Sequence, residues 1–231
     1  MKTIMCVKGL AVAALALALV ACSAKNEKTA EGDCCESKNK TEMKYSKKYT
    51  NADFYTDGKF NEKVAVEAFK DMLKFYDLPW TTYMDAEFWA VDFGLGDFEN
   101  VGMGGIFWVN DQEHGYFAHA IYLLPGQMIA EHAHVKTEFP AKFETWMVTK
   151  GWVYNFSEVG EATPNMPAIP ASHAPVRSKN FVVQNVGDIV HLKEEGTFHF
   201  LMAGPEGAVV DEWACYHDGA GLRFADPKAA L

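Results

Sequence analysis

The fold is decided by residues 126–151, which read GQMIAEHAHVKTEFPAKFETWMVTKG. His132 and His134 are two positions apart in a stretch of β type, so both imidazoles point to one face of the predicted strand. Two imidazoles on one face form half of a divalent-metal site. Glu144 begins the next predicted strand, and His199 lies on a later one. If these strands close into a barrel, three imidazoles and one carboxylate meet and leave coordination positions open for water or substrate.

The rest of the folded part is mostly of β type. One helix is predicted over residues 61–76, where apolar residues recur at helical spacing, and Pro79 ends it. Short β-type runs then alternate with turn signals. The predicted strands are 87–93, 105–109, 116–124, 128–134, 143–150, 152–156, 181–184, 189–192, 198–202 and 208–215. Many short strands at close spacing predict a sandwich or small barrel. Residues 157–180, with four prolines, predict a functional loop or lid.

The spacing around the histidines resembles the first motif of the cupin superfamily. Gly126 is followed by five residues and His132-Ala133-His134, and Glu144 is followed by six residues and Gly151. The gap before Glu144 is longer than usual, so Glu138 is the rival ligand; we prefer Glu144 because only it has the glycine at the right offset. Gly196 and His199 keep part of the second cupin motif, in which Glu194 replaces a proline. The resemblance implies an all-β, jelly-roll cupin barrel with an N-terminal helix.

A closer resemblance is to the D-lyxose isomerase branch of the cupins, which shares the longer gap before the glutamate. The matching segments are Asp92-Phe93-Gly94-Leu95-Gly96, Leu124-Pro125-Gly126-Gln127, Glu131-His132-Ala133-His134, Lys142-Phe143-Glu144-Thr145, Ala203-Gly204-Pro205-Glu206-Gly207-Ala208-Val209-Val210-Asp211-Glu212 and Phe224-Ala225-Asp226-Pro227. The branch binds a divalent ion, typically manganese, and interconverts an aldose and a ketose. The resemblance therefore implies a sugar substrate, and the ligand set would also accept iron or zinc.

Aldose–ketose isomerisation moves a proton between adjacent carbons, so it needs a Lewis acid and a base. Glu212 lies in a buried-looking strand, where burial would raise the pKa of a carboxyl group. Lys142 shares a predicted strand face with Glu144, and a neighbouring divalent cation would lower its pKa. We predict these two as catalytic residues. An apolar wall for a sugar face could be formed by Trp146, Trp152, Tyr122 and Trp213, although for at least half of them we expect core filling instead.

Two other functions use the same ligands on this kind of barrel: a metal-dependent dioxygenase or other oxidoreductase, and a non-catalytic carbohydrate-binding lipoprotein. Lys142 and Glu212 in a wet pocket would favour the isomerase. A dry, mostly aromatic pocket with open coordination sites would favour the dioxygenase, and loss of both proton-transfer groups from the pocket would favour binding alone.

The N-terminus reads as an export signal. Lys2 and Lys8 precede an apolar run that is too short to span a bilayer and ends at Ala21. The sequence Leu19-Val20-Ala21-Cys22 resembles the lipobox of bacterial lipoproteins, which implies cleavage before Cys22 and its lipidation. The predicted parts are a signal peptide over 1–21, a lipidated Cys22 and flexible tether over 22–48, and a cupin domain over 49–231. The predicted location is membrane-anchored, in the periplasm or at the outer membrane.

Composition limits the remaining partners. The formal net charge is -10 and no basic patch is present, so nucleic acid is not an expected partner. Cys34 and Cys35 lie in the tether, and a bond from either to Cys215 is compatible with an oxidising compartment. The sequence leaves open whether the protein is a monomer or a homodimer.

Overall fold

The computed structural model describes residues 44–231. The predicted signal peptide, the Cys22 anchor and most of the tether, including Cys34 and Cys35, lie outside the described residues and stay predictions. Among the described residues, no helix is both long and apolar enough to cross a membrane. The described residues lie within one compact unit.

Three α-helices and eleven strands make up the described part. The helices are α1 (Asn51–Phe54), α2 (Glu62–Phe75) and α3 (Thr82–Glu87), and a short 3-10 turn spans Gly219–Gly221. The strands are β1 (Tyr55–Thr56), β2 (Lys59–Phe60), β3 (Trp89–Val91), β4 (Met103–Asp111), β5 (Tyr116–Leu123), β6 (His132–His134), β7 (Glu144–Ser157), β8 (Asn180–Asn185), β9 (Ile189–His191), β10 (His199–Cys215) and β11 (Leu222–Phe224).

Nine of the strands form one curled antiparallel sheet in the order β11-β6-β10-β5-β4-β3, with β7 paired to β10, β8 and β9. Strand β10 pairs with three other strands of this sheet, β5, β6 and β7. Its C-terminal half pairs with β5 and β7, while its first residue, His199, pairs with His132 of β6. The mainly β barrel with an N-terminal helix, predicted from the sequence, is confirmed.

Side-chain alternation divides the apolar residues between two cores. The inner face of the sheet buries Ile121, Val148 and Val210 in the barrel. The outer face buries Ile106, Tyr122 and Val209 beneath α2, whose Phe69 and Met72 are fully buried. The helix predicted over 61–76 is therefore confirmed as α2, and its apolar face covers the outside of the sheet and leaves the inside free for a site.

Two predicted strand breaks are absent from the structure. The predicted strands 143–150 and 152–156 merge into the single strand β7, which begins at Glu144, and those over 198–202 and 208–215 merge into β10, which begins at His199. Gly151 has a φ of 66°, and a Cβ there would lie 2.0 Å from the Gly207 carbonyl oxygen. Gly151 and Gly207 therefore lie at a register shift between the continuous strands β7 and β10, and not at a turn.

Short elements account for the remaining differences. Helix α3 and strand β11 were not predicted, because six and three residues are too few to show a period. Only His132–His134 of the predicted strand 128–134 forms regular pairs, and Met128 makes isolated bridges. Glu87 belongs to α3, so the strand predicted over 87–93 shrinks to Trp89–Val91.

The proline-rich loop between β7 and β8 is fastened to the barrel next to the predicted metal-binding strand. The Glu131 carboxylate, which is fully buried, accepts hydrogen bonds from the backbone N–H groups of Arg177 (2.7 Å) and Ser178 (2.8 Å). The Glu131 N–H donates to His173 Nε2 at 3.2 Å, and Asp226 accepts from the Ala174 N–H at 2.6 Å. These contacts attach the loop to the barrel, and its role as a functional loop or lid stays a prediction.

We expect Glu131→Ala to lower the free energy of unfolding by roughly 2 to 4 kcal/mol, because it leaves two backbone N–H groups without their acceptor. Urea unfolding followed by circular dichroism measures the change. Glu138→Ala is the matched control: Glu138 is exposed, so its loss should change stability by less than about 0.5 kcal/mol. Equal effects of the two substitutions would contradict this account of the loop.

Candidate active site

Four residues from three strands meet at one end of the barrel interior. His132 and His134 lie on β6, and Glu144 and His199 are the first residues of β7 and β10. One potential ligand atom from each residue lies within 4.8 Å of all the others. The His134 Nε2 atom is 3.4 Å from Glu144 Oε1, and His199 Nε2 is 2.9 Å from Glu144 Oε2. The structure thus brings together the four ligands predicted from the sequence.

The donor atoms fit a divalent cation. His134 Nε2, His199 Nε2 and Glu144 Oε2 are buried and make no hydrogen bond; the 2.9 Å approach of the last two lacks hydrogen-bond geometry. The outer nitrogens of two rings are engaged instead, since Nδ1 of His132 contacts the Ala130 carbonyl oxygen and Nδ1 of His199 contacts that of Thr197, both at 3.0 Å. Such contacts hold a ligand ring in orientation and leave the lone pair of Nε2 for a metal.

Burial and neighbouring charges set the protonation of the four residues. Burial and the adjacent imidazoles hold the pKa of His132 well below its ordinary value, so this ring is neutral, as a metal ligand must be. Burial opposes ionisation of Glu144, but Lys142 and the two histidines outweigh it and lower its pKa. Burial would lower the pKa of His199, but Glu144 raises it. Glu138, the rival ligand, is exposed and lies outside this group.

The two predicted catalytic residues are buried beside the four predicted ligands. Lys142 Nζ donates to Glu144 Oε1 at 2.9 Å and also to Glu212 Oε1. Glu212 Oε2 accepts from Trp146 Nε1 at 3.2 Å. Lys142 also lies 4.3 Å from the centre of the Phe117 ring, a cation–π contact. A single ammonium group therefore links Glu144 to Glu212.

The expectation that burial raises the pKa of Glu212 is wrong. Burial does oppose its ionisation, but the charge of Lys142 outweighs burial and lowers the pKa below the ordinary value. The pKa of Lys142 is raised, because Glu144 and Glu212 together outweigh the effect of burial. Without a bound cation, Glu212 is an anion and Lys142 is charged at neutral pH.

The four ligands, Lys142 and Glu212 line a cavity of about 90 Å³, enough for several water molecules. Its other walls are mainly apolar and aromatic, and they include Trp89, Phe93, Phe107, Phe117, Trp146 and Phe224. Of the predicted wall, Trp146 is in place. Tyr122 instead packs under α2, Trp213 is 44 % exposed, and the ring of Trp152 lies over Gly204. Tyr122 and Trp213 are one position away from inward-facing residues, so they point out of the barrel.

The cavity contains two histidines that were not predicted. His119 lies on β5 between Phe117 and Ile121, two other lining residues, so the alternation along the predicted strand 116–124 could have placed it inside. His217 follows β10 in a loop, where its backbone is held by the side chain of Asn110. No sequence period extends to that loop, and so His217 could not have been found in this way.

Known proteins resemble the chain in sequence and in fold. It is 35% identical to the D-lyxose/D-mannose isomerase of Thermosediminibacter oceani over 146 residues, which are 60% of this chain and 76% of that protein. It is 31% identical to the D-lyxose ketol-isomerase of Cohnella laeviribosi over 141 residues, again 60% and 76%. No protein-family model matches the chain.

Among solved structures, the ligand-free L-ribose isomerase of Cellulomonas parahominis superposes with a TM-score of 0.51. The match covers 72% of this chain and 91% of that protein at 15% identity, and it therefore supports the fold alone. The sequence identities support a stronger conclusion, because they exceed 30% and cover three quarters of each relative: the chain belongs to the D-lyxose isomerase family of aldose–ketose isomerases.

Proposed function

We propose that the protein is a metal-dependent isomerase that converts D-lyxose or a closely related aldose into its ketose by proton transfer. The observation that carries the proposal is the position of Lys142 and Glu212, which are buried in the same cavity as the four-ligand group. The relatives named as D-lyxose isomerases supply the substrate class.

The residues that would hold the cation are His132, His134, Glu144 and His199. When bound, a divalent cation supplies the Lewis acidity that polarises the sugar carbonyl and its neighbouring hydroxyl group. Three imidazoles and one carboxylate suit manganese, iron or zinc, and we propose manganese from the resemblance to the D-lyxose isomerase branch.

Glu212 is the proposed base. Because Lys142 keeps it ionised, it can take the proton from C2 of the aldose, which breaks the C2–H bond and leaves an enediolate. It then returns the proton to C1, where the new C–H bond forms. The hydroxyl proton moves from O2 to O1, and atoms and charge balance without any redox partner.

Lys142 is the proposed donor to the sugar oxygens. Its ammonium group is buried, so its interaction with negative charge on O1 or O2 is less screened than in water. Without a bound cation the two carboxylates raise its pKa, and in its charged form it would stabilise the oxygen on which charge develops while Glu212 holds the carbon proton.

The mainly aromatic wall is the feature that favours the dioxygenase alternative. Apolar ring faces also pack against the C–H faces of a sugar, so such a wall is compatible with a sugar isomerase. A dioxygenase has no need of a lysine between two carboxylates, and a protein that only binds sugar has no need of a base. The cavity contains both groups, which supports the isomerase.

We expect the protein loaded with manganese to produce D-xylulose from D-lyxose, and the protein stripped by a chelator to produce none. A panel of pentoses and hexoses, analysed by chromatography for the ketose product, tests the substrate class. If no aldose is converted at full metal occupancy, the isomerase proposal is wrong; oxygen uptake with another small molecule would support the dioxygenase instead.

A further inference from the structure

His119 is a buried histidine in an aromatic cage. Its ring is 5 % exposed, and it stacks on Trp89 with centroids 5.6 Å apart and an interplanar angle of 27°. Phe107 meets the ring edge to face at 5.0 Å, and Phe117 lies 5.6 Å away. Three rings therefore restrict its rotation.

Gly105 provides the space for this ring. A Cβ at position 105 would lie 2.5 Å from His119 Nε2 and 2.5 Å from Cζ2 of Trp89. Gly105 and Trp89 are paired residues of β4 and β3, and Phe107 is the cross-strand partner of His119. The backbone and its neighbours thus hold the imidazole in one place.

The other nitrogen of the ring faces the proposed base. His119 and Glu212 are directly paired between β5 and β10, and Nδ1 of His119 lies 3.9 Å from Glu212 Oε2. This distance is longer than a hydrogen bond, but hydrogen bonds in an active site are often long before the substrate binds and shorten in the complex. His119 Nε2 has no hydrogen-bond partner.

A phenylalanine would suit such a cage better than an imidazole. A buried polar group without a partner costs about 1–3 kcal/mol, and this cost is offset only if the imidazole makes a useful contact. Burial lowers the pKa of His119, so the ring is neutral and carries one proton. Glu212 is the acceptor that faces Nδ1 of this ring across the strand pair.

We propose that His119 is a positioning residue for Glu212, to which it donates a hydrogen bond from Nδ1 in the substrate complex. Lys142 already holds Oε1 of Glu212, and Trp146 donates to Oε2. A second donor at Oε2 would fix the plane of the carboxylate relative to the sugar carbon, and proton transfer is sensitive to this alignment. The inference rests on the proposed function of Glu212 as the base.

Three substitutions separate this role from direct contact with the sugar. In His119→Asn, the side-chain amide can replace the Nδ1 donor. In His119→Gln, the longer side chain places its amide at the position of Nε2. His119→Phe fills the cage with a ring that has no donor. We expect the Asn variant to keep kcat within about threefold of the wild type. The Phe and Gln variants should lose about tenfold or more in kcat with little change in KM, since binding is not affected.

A spectroscopic measurement needs no turnover. In ¹⁵N spectra of the histidine rings, the His119 proton should be on Nδ1, and the Nδ1 signal should shift in Glu212→Gln. A proton on Nε2 would overturn the inference in favour of a contact with the sugar. The same conclusion would follow if His119→Phe raised KM without lowering kcat and His119→Gln restored the wild-type KM. Equal kcat for the Asn and Phe variants would also overturn it.

The two proposals fail in different ways. If the metal-loaded wild type converts no aldose, the isomerase proposal fails, and the tautomer of His119 still tests its contact with Glu212. If the wild type turns over and the His119 variants match it in kcat, the isomerase proposal stands and the positioning role is wrong.

Discussion

Glu212→Gln should lower kcat for the sugar by about a thousandfold, because general base catalysis contributes roughly 10²–10⁴-fold and the amide cannot accept the proton. The shape of the side chain is conserved, and Glu212 is not one of the four proposed ligands, so the metal content should stay near that of the wild type. Steady-state kinetics and elemental analysis of the same sample measure both quantities.

Asp211→Asn is the matched control for this experiment. Asp211 is the preceding residue of β10, and its alternating position places it outside the cavity. Replacing the Asp211 carboxylate by an amide should leave kcat unchanged. If Glu212→Gln kept full turnover, or lost the metal together with the activity, Glu212 would not be the base described above.

His199→Ala should remove most of the bound cation and, with it, all measurable isomerisation. Changing residues that merely support a metal ligand lowers affinity by about 10–100-fold, and we expect loss of a ligand to exceed this. Competition with a chromogenic chelator measures the affinity, and elemental analysis after gel filtration measures the stoichiometry.

Two controls accompany this variant. His191→Ala removes an exposed histidine of β9, and Glu138→Gln changes the carboxylate at the usual cupin spacing. Neither should alter the affinity for the cation. If His199→Ala still bound one cation per chain, the four-ligand centre would be contradicted. If only Glu138→Gln lost the cation, Glu138 and not Glu144 would be the carboxylate ligand.

The four residues of the candidate metal site could be identified in the sequence because each depends on local spacing. Alternation along one strand places His132 and His134 on the same face, and the offset from Glu144 to Gly151 distinguishes that glutamate from Glu138. The same alternation predicts that Lys142 lies beside Glu144, and Nζ is 2.9 Å from the carboxylate.

The properties that depend on distant residues could not be predicted. The pKa of Glu212 is lowered by Lys142, which is 70 positions away in sequence. Burial of Glu212 alone indicates the opposite direction. The aromatic wall differs, because alternation along one strand already separates its members: Trp213 directly follows the inward Glu212 and is exposed, whereas Trp146 lies two positions from Glu144 and faces the cavity.

The most direct test of proton transfer by Glu212 is isotope exchange during turnover in heavy water. The manganese-loaded wild type, incubated with D-lyxose, should give D-xylulose that carries solvent deuterium at C1, where the base returns the proton. Recovered D-lyxose should acquire deuterium at C2 by the reverse reaction. NMR of the recovered sugars measures both positions. Turnover with no deuterium at either carbon would contradict the account and indicate a hydride shift or a proton that is shielded from solvent.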